Sequence, residues 1–404
     1  MSKKVIILGT LDTKGEEFKF IKDIIEKEGV DSIVIDVGVV GEPKLIPDID
    51  KNEVAIAGGS SIEDLIEKKD RGYAMETMMK GSAAIVKKLS EKEGVSGIIS
   101  LGGSGGTSIA SYAMRALEVG IPKVMVSTLA SGDTRPYVGE KDITMMYSVV
   151  DISGINTLSS KILSNAAYAL IGMVKGKAPE LKEEKPLIGA TMFGVTTKGV
   201  TIAKEYLEDN GYEVLVFHAT GAGGRAMEDL IRSGYIKGVL DMTTTEWCDE
   251  VVGRVLNAGP NRLEAASDIG IPQVVAPGAL DMVNFGPIET VPDKFKNRNL
   301  YKHNATVTLM RTTKEENIKI GKVIGEKLNR AKKDTALFIP LKGVSAIDYK
   351  DEVFYGEEED KALFNTLKET VDKNKVEVVE MNNNINDEEF AIAMAKKLIN
   401  MIEK

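Results

Sequence analysis

Short apolar runs alternate with amphipathic stretches along nearly the whole chain. Val5–Leu8 is apolar and leads into Gly9-Thr10-Leu11-Asp12-Thr13-Lys14-Gly15, after which Phe18, Ile21, Ile24 and Ile25 recur at helical spacing. Ser32–Val37, Gly97–Leu101, Lys123–Ser127 and Ile143–Val150 read as further strands, and Gly105–Val119 and Ile155–Val174 as helices. The stretch Gly176–Pro186 is charged, holds two prolines and lacks apolar periodicity, so it reads as a linker. The alternation then restarts. Strands are predicted at Leu187–Thr191, Glu213–Phe217, Gly238–Asp241, Gln273–Ala276, Ala336–Pro340 and Val376–Glu380. Helices are predicted at Ile202–Asn210, Arg225–Ser233, Lys314–Ala331, Lys361–Val371 and Asp387–Ile402.

Strands alternating with helices predict an α/β protein of two Rossmann-like lobes with mostly parallel sheets, 1–178 and 186–404, joined by the linker 176–186. The restart resembles an internal duplication. Gly9-Thr10-Leu11-Asp12-Thr13-Lys14-Gly15 compares with Phe193-Gly194-Val195-Thr196-Thr197-Lys198-Gly199, and Gly120-Ile121-Pro122 compares with Gly270-Ile271-Pro272. The spacing places extra material of the first lobe in Val39–Glu93.

Composition narrows the chemistry. In 404 residues, 43% are hydrophobic and 28% charged, as in a globular protein, and no apolar run of 18 residues would span a membrane. The start is too short for a signal peptide and reads as a first strand. One cysteine, Cys248, excludes an internal disulfide, and two histidines, His218 and His303, leave little for a histidine-based metal site. A net charge of -9 argues against nucleic acid as the main partner. A cytoplasmic location is expected. The 39 glycines, about a tenth of the chain against a typical 7%, gather in short clusters.

In open α/β sheets ligands bind beyond the carboxyl ends of the strands, so the residues just after each strand are the candidates. Gly102, Gly103, Ser104, Gly105, Gly106, Thr107 and Ser108 combine four glycines with three hydroxyls between a strand and a helix. Glycine lets backbone approach a ligand closely, and a helix start presents unpaired N–H groups with partial positive charge, a pairing suited to phosphate. No lysine precedes Thr107 or Ser108, so this is not a Walker motif, and it is only part of a dinucleotide fingerprint. The first turn offers Thr10 and Thr13 hydroxyls, the Lys14 cation, and Asp12, which could hold Mg²⁺. Asp12 or Thr13 could equally be a helix N-cap. Asp36 and Gly38 follow the second strand, and Ser131-Gly132-Asp133 follows the fourth, with Arg135 close behind as a phosphate or surface-pair candidate.

In the second lobe, Gly221, Gly223, Gly224 and Arg225 open a helix within a G-x-G-x-x-A pattern, with Asp241 eighteen residues after Gly223. Thr244 and Glu246 follow the next strand, where a capping box from Thr243 to Glu246 is the plainer reading. Asp281 and Asn284 follow a further one. Cys248 sits among acids and reads as packing. His218 reads as a strand-end residue, His303 as part of a polar flap, and Met75, Met78 and Met79 as core or interface.

Five of these loops together resemble one family. They are Gly9–Gly15, Gly102–Thr107, Ser131–Asp133, Gly278–Asn284 and Gly343-Val344-Ser345-Ala346-Ile347-Asp348. The family is bacterial and archaeal and is similar to the N-terminal, inhibitory region of the tomato mosaic virus resistance protein. The resemblance covers about residues 3–402. It implies two α/β subdomains, ATP binding and homodimers or higher oligomers. It carries no reaction with it, and the viral inhibition belongs to the plant member. Three functional readings stand at this point. The first is an ATP·Mg²⁺ protein whose nucleotide faces an interlobe cleft, with phosphoryl or nucleotidyl transfer to a small molecule. The second is a non-catalytic, ATP-responsive regulatory protein. The third is a metabolic enzyme acting on a small phosphorylated or carboxylated metabolite without ATP.

Overall fold

The computed structural model describes residues 4–177, 179 and 184–404. The chain divides into two compact units, Met1–Glu180 and Leu181–Lys404. Residues 178 and 180–183 of the predicted linker 176–186 lie outside the described residues.

The first unit is built on a five-stranded parallel sheet of β1 (Lys4–Gly9), β2 (Asp31–Asp36), β3 (Val95–Gly102), β4 (Lys123–Ser127) and β5 (Ile143–Tyr147), in the order β2-β1-β3-β4-β5. A strand alternates its side chains between two faces. In β1, Val5 and Ile7 pack against α1 (Leu11–Lys27) and α7 (Thr157–Lys175). Ile6 and Leu8 face α2 (Lys51–Ala57), α3 (Ile62–Lys68), α4 (Arg71–Glu93) and α5 (Ser104–Met114). A short α6 (Arg135–Val138) follows β4. Burial on both faces explains the near-continuous apolar strands.

The second unit repeats the pattern. Its six-stranded sheet joins β6 (Leu187–Met192), β7 (Glu213–His218), β8 (Ile236–Thr243), β9 (Gln273–Gly278), β13 (Thr335–Pro340) and β14 (Val376–Met381), in the order β14-β13-β9-β8-β6-β7. Read from β7, the first five strands follow the same winding as the first unit. The irregularities recur as well. The β1–β3 register shifts between Lys4 and Val5, and the β6–β8 register between Leu187 and Ile188. Ile98 N donates to Pro122 O (2.9 Å), and Val239 N donates to Pro272 O (3.0 Å), so the two Gly-Ile-Pro segments play the same part. These parallels support the duplication. Where the second unit has the single helix α9 (Ala222–Arg232), the first has α2, α3 and α4, within Val39–Glu93 as the spacing predicts.

The remaining helices of the second unit are α8 (Thr197–Asp209), α10 (Glu246–Val252), α11 (Ala265–Ile269), α12 (Lys314–Leu328), α13 (Glu357–Thr370) and α14 (Glu388–Ile402). The hydrophobic pattern does not reveal an antiparallel three-stranded sheet, β10 (Met282–Phe285), β11 (Leu300–Lys302) and β12 (Thr308–Arg311), in the order β10-β12-β11. These strands are three or four residues long, too short for a periodic signal. The predicted polar flap around His303 is in fact β11 and its turn, where His303 N donates to Val307 O. No helix among the described residues is long and apolar enough to cross a membrane.

Helices α2 and α4 cross with no side-chain layer between them. A Cβ on Gly81 would lie 1.9 Å from Val54 O, and one on Gly58 would lie 2.2 Å from Thr77 O. This contact fixes where α4 presents its other face. Gly81→Ala is therefore expected to force the helices apart and destabilise the protein by about 1–3 kcal/mol, read as a lower midpoint in thermal unfolding followed by far-UV circular dichroism.

Candidate functional site

The turns after β1 and β3 leave the sheet towards opposite faces, since α1 and α5 pack on opposite sides. A crevice must open between them. In the first unit this crevice is a cavity of about 690 Å³. Of the predicted site residues, Thr10, Asp12, Thr13, Gly38, Gly105 and Gly106 line it. The rest of the wall comes from the inserted region: Val39 and Val40, Leu65 and Ile66 of α3, Lys69 and Asp70, and Arg71, Ala74, Met75 and Met78 of α4. Val37 and Ile109 complete it.

At its polar end, α5 begins with Gly103 as N-cap, and the first intrahelical bond runs from Thr107 N to Gly103 O (2.8 Å). The N–H groups of Ser104, Gly105 and Gly106 therefore have no acceptor inside the helix. A Cβ on Gly105 would be 3.7 Å from both Arg71 Nη2 and Met75 Sδ, so this glycine faces the cavity. Gly102 serves the packing instead. A Cβ there would be 2.9 Å from Gly106 Cα, so its absence seats the helix against the strand.

Across the crevice, Asp12 Oδ2 accepts from Gly41 N (3.2 Å), while its Oδ1 is shielded from solvent and meets no donor among the described residues. Thr13 Oγ1 donates to Thr10 Oγ1 (3.0 Å). Thr10 is the N-cap of α1 and no side chain caps that helix, so neither Asp12 nor Thr13 is the cap.

Several predicted contacts do not reach the cavity wall. Lys14 leaves helical geometry and its Nζ donates to Ile152 O, pinning the segment before α7. Asp36 is buried and acts as a brace: Oδ1 accepts from Leu11 N (3.1 Å) and Gly38 N (2.8 Å). Burial raises its pKa against those two N–H groups. Thr107 is buried and bonded to Ser127 Oγ (2.7 Å) and Gly102 O. Ser104 O accepts from Ser108 Oγ (2.9 Å). Gly103, Ser104, Ser131, Gly132 and Asp133 are absent from the wall, and Asp133 pairs with Arg135 in the open, which holds its carboxyl down at about 2.

The second-ligand candidates of the other unit are consumed internally. Glu246 Oε1 accepts from Gly221 N (2.7 Å) and Gly224 N (3.1 Å), so the glycine loop already holds a carboxylate of its own chain. Gly223 packs on the β7 end, where a Cβ would lie 2.0 Å from His218 O. Arg225 Nη1 donates to Asn257 O (3.2 Å), and Thr244 Oγ1 donates to Ala276 O (3.1 Å). The expected Thr243–Glu246 capping box does not form. Thr245 is the N-cap of α10, and Thr243 shares a hydrogen bond with Thr196 (2.8 Å). Behind them lies Arg262, which no sequence motif marks. It is buried and reaches Asp241 (2.6 and 2.7 Å), Glu246 (2.7 Å) and Glu228 (3.4 Å).

Asp281 and Asn284 are likewise buried. Asp281 accepts from Ser345 Oγ (2.8 Å), which joins the Gly278–Asn284 and Gly343–Asp348 loops, and it shares Arg311 with Asp348 and Asp360. Burial first, and the neighbouring carboxyls second, push the Asp348 pKa up. Asn284 N donates to Asp249 Oδ1 (2.8 Å). Burial also pushes up the Cys248 thiol, in keeping with its reading as a packing residue.

Two family models tile the chain: the N-terminal domain of the "Uncharacterised protein family (UPF0261)" over residues 3–179, and the C-terminal domain of the same family over residues 185–402. The chain belongs to the UPF0261 family. A UPF0261 protein of Clostridium tetani is 91% identical over the full length of both chains, and one of Rhizobium meliloti is 45% identical over 97% of each. The tomato (Solanum lycopersicum) ToMV resistance protein Tm-1(GCR237) is 41% identical over all of this chain and 56% of its own length. The resemblance read from the five loops is thus shown. Among solved structures, a putative UDP-N-acetylglucosamine 2-epimerase from Listeria monocytogenes matches at TM-score 0.24 and 11% identity, covering 68% of this chain and 79% of that one. Acinetobacter baumannii MurG matches at TM-score 0.24 and 12% identity, covering 98% and 99%.

The charges buried in the second unit should govern its stability, which is readable through its buried Trp247, the one tryptophan of the chain. Arg262→Leu strands three buried carboxylates and should cost about 3–5 kcal/mol, seen as a lower urea midpoint. Asp249 is pushed up to about 6, first by burial. The folded state therefore keeps a proton that an unfolded aspartate releases near pH 4. Stability from this group is complete below about pH 4 and is lost as pH rises to about 6, by roughly 3 kcal/mol. Asp249→Asn should flatten that slope in midpoints measured from pH 4 to 7.

Proposed function

We propose that the first unit binds ATP with Mg²⁺ in its own cavity, the triphosphate against the start of α5 and the base and ribose against the apolar wall supplied by the insertion. The observation that carries this reading is the cavity itself, in which unpaired backbone N–H groups at a glycine-rich helix start face an apolar wall large enough for a nucleoside. A helix N-terminus favours phosphate through its N–H groups and its dipole. Asp12, with a shielded and unpartnered carboxylate oxygen, fits a Mg²⁺ ion that takes most of its ligands from phosphates and water. Such an ion would neutralise phosphate charge. Thr10 and Thr13 add hydroxyls to the same wall.

Whether the nucleotide is turned over is a separate matter. Phosphoryl transfer rests mainly on positioning and charge stabilisation, which backbone N–H groups and a guanidinium can supply without histidine or cysteine. The internal use of Gly221, Gly223, Gly224, Arg225, Thr244, Glu246, Asp281 and Asn284 leaves no second substrate assigned to them. That favours the ATP-responsive, non-catalytic reading over transfer. A homo-oligomer and a cytoplasmic location belong to the same proposal, the former checked by light scattering with and without nucleotide.

Gly105→Val would place two methyl groups at the cavity face of α5. ATP·Mg²⁺ should raise the melting temperature of the wild-type protein and leave this variant unshifted, with its nucleotide-free melting temperature close to wild type. A retained shift would put the phosphates elsewhere. ³¹P NMR of ATP·Mg²⁺ incubated with the protein and a metabolite panel separates the two readings: an unchanged ATP spectrum supports the binding protein, and new phosphate resonances support transfer.

A further inference from the structure

We infer that residues 349–356 form a lid latched through Arg311, and that a proton kept among Asp281, Asp348 and Asp360 holds the latch shut.

The connection 341–356 between β13 and α13 contains no helix or strand, and it leaves the carboxyl end of an interior strand of the second sheet. Loops of this length are uncommon in compact domains and are usually functional. Its two halves are held differently. Backbone bonds tie the inner half to the sheet: Ala346 N donates to Val195 O (2.9 Å), Val344 O accepts from Ala279 N (2.8 Å) and Gly343 O accepts from Ile385 N (3.1 Å). The outer half has fewer fastenings. Tyr349, Val353 and Tyr355 are exposed, and Asp351 stands in the left-handed region (φ 73). Phe354 is its buried anchor, packed with Val195, Ala279, Met282 and Leu309. Arg311 grips the backbone there, its Nε donating to Phe354 O (2.7 Å) and its Nη2 to Gly356 O (3.4 Å). Gly356 permits this approach, because a Cβ there would lie 2.7 Å from Nη2.

The same guanidinium serves three buried carboxyls. Nη2 is 2.7 Å from Asp360 Oδ1 and 3.5 Å from Asp348 Oδ1, and Asp281 shares its charge. Asp348 Oδ2 accepts from Val344 N (2.9 Å) and Asp281 Oδ2 from Ser345 Oγ (2.8 Å). Oδ1 of both is shielded from solvent and accepts no hydrogen bond among the described residues. The other groups that face the cluster leave this count unchanged. Glu316 of α12 is paired with Arg298 (2.8 Å), burial pushes up the Cys248 thiol of α10, and Glu359, beside Asp360, is only half-buried. Fully ionised, the cluster would bury three negative charges against one positive, which a site closed to water disfavours. Asp348 and Asp360 also meet through a side-chain hydrogen bond, and two carboxyls can share one only with a proton between them. With the lid open, water reaches all three groups and the proton leaves. Opening therefore releases a proton and is favoured as pH rises.

The test is hydrogen–deuterium exchange of the full-length protein at pH 5 to 8, each rate divided by the intrinsic rate at that pH. Peptides covering 349–356 report the lid, and those covering β13 report unfolding of the sheet. An unfolded aspartate titrates near pH 4, and Asp281 is pushed up to about 6 by burial, with Asp348 also raised. From pH 5 to 7 the lid's opening constant should rise at least tenfold, since one released proton gives up to about tenfold per pH unit. The β13 peptides should change less. Asp348→Asn or Asp281→Asn, each a stand-in for the protonated acid, should flatten the lid's slope and keep it protected at pH 8. Arg311→Met should leave the lid unprotected at every pH; if it does not fold, the two asparagine variants still decide. A lid without a slope, a slope kept in both asparagine variants, or a lid that opens only together with β13 would overturn the inference.

Discussion

The first unit depends on a constraint of winding. In the order β2-β1-β3-β4-β5 the chain reverses its lateral direction between β1 and β3, so the turns after these strands part towards opposite faces. The gap opens from the path of the backbone, whatever the side chains. What the sequence controls is what surrounds it. Glycines at 102 and 106 bring α5 down to the strand end, Asp36 ties the turn after β1 to the segment after β2, and the inserted helices wall the gap on its third side.

The second unit has the same winding and a different outcome. Its crevice lies between β6 and β8, and the loops there are bound to one another. Glu246 occupies the N–H groups of the glycine loop, and Arg262 balances Glu246, Asp241 and Glu228. Such a network is costly to desolvate and becomes stable only when every charge and lone pair finds a partner. Here each carboxylate also takes backbone or hydroxyl donors: Glu228 from Leu263 N and Ala265 N, and Asp241 from Thr191. One unit thus keeps its anion-binding elements open, and its twin fills them from within.

Much of this is legible in the chain itself. Runs such as Val5–Leu8 and Leu187–Thr191 mark parallel strands because both of their faces are buried. The two Gly-Ile-Pro segments betray the duplication because each carries the same backbone bond across the sheet. Thr10, Asp12, Thr13, Gly38, Gly105 and Gly106 reach the cavity as their loops suggest, and the misses have a common cause. A loop's residue types show what it could bind, but not which way each side chain points. Lys14 turns to Ile152, and Thr107 to Ser127. The G-x-G-x-x-A pattern of the second unit reads as an anion site and is one, but its anion is Glu246, a distant residue of the same chain that the motif cannot disclose. Arg71 and Met75 are hidden for the opposite reason. They lie on an ordinary amphipathic helix, and only the crossing of α2 and α4 turns them towards the cavity. Arg71, Met75 and Met78 do follow helical spacing, the one trace of a shared face.

The glycine crossing also bears on how a ligand would come and go. Helices in backbone contact have no side-chain layer to compress, so α2 and α4 shift as one body or not at all. Another edge of the cavity is the segment between β2 and α2. It is laid over the start of α1 by a few bonds, among them Gly41 N to Asp12 and Lys44 N to Leu11 O, and Gly15 is where it comes closest. One fastening of that strap is thus the carboxylate that lines the cavity, so the wall's charge and its closure share a single side chain.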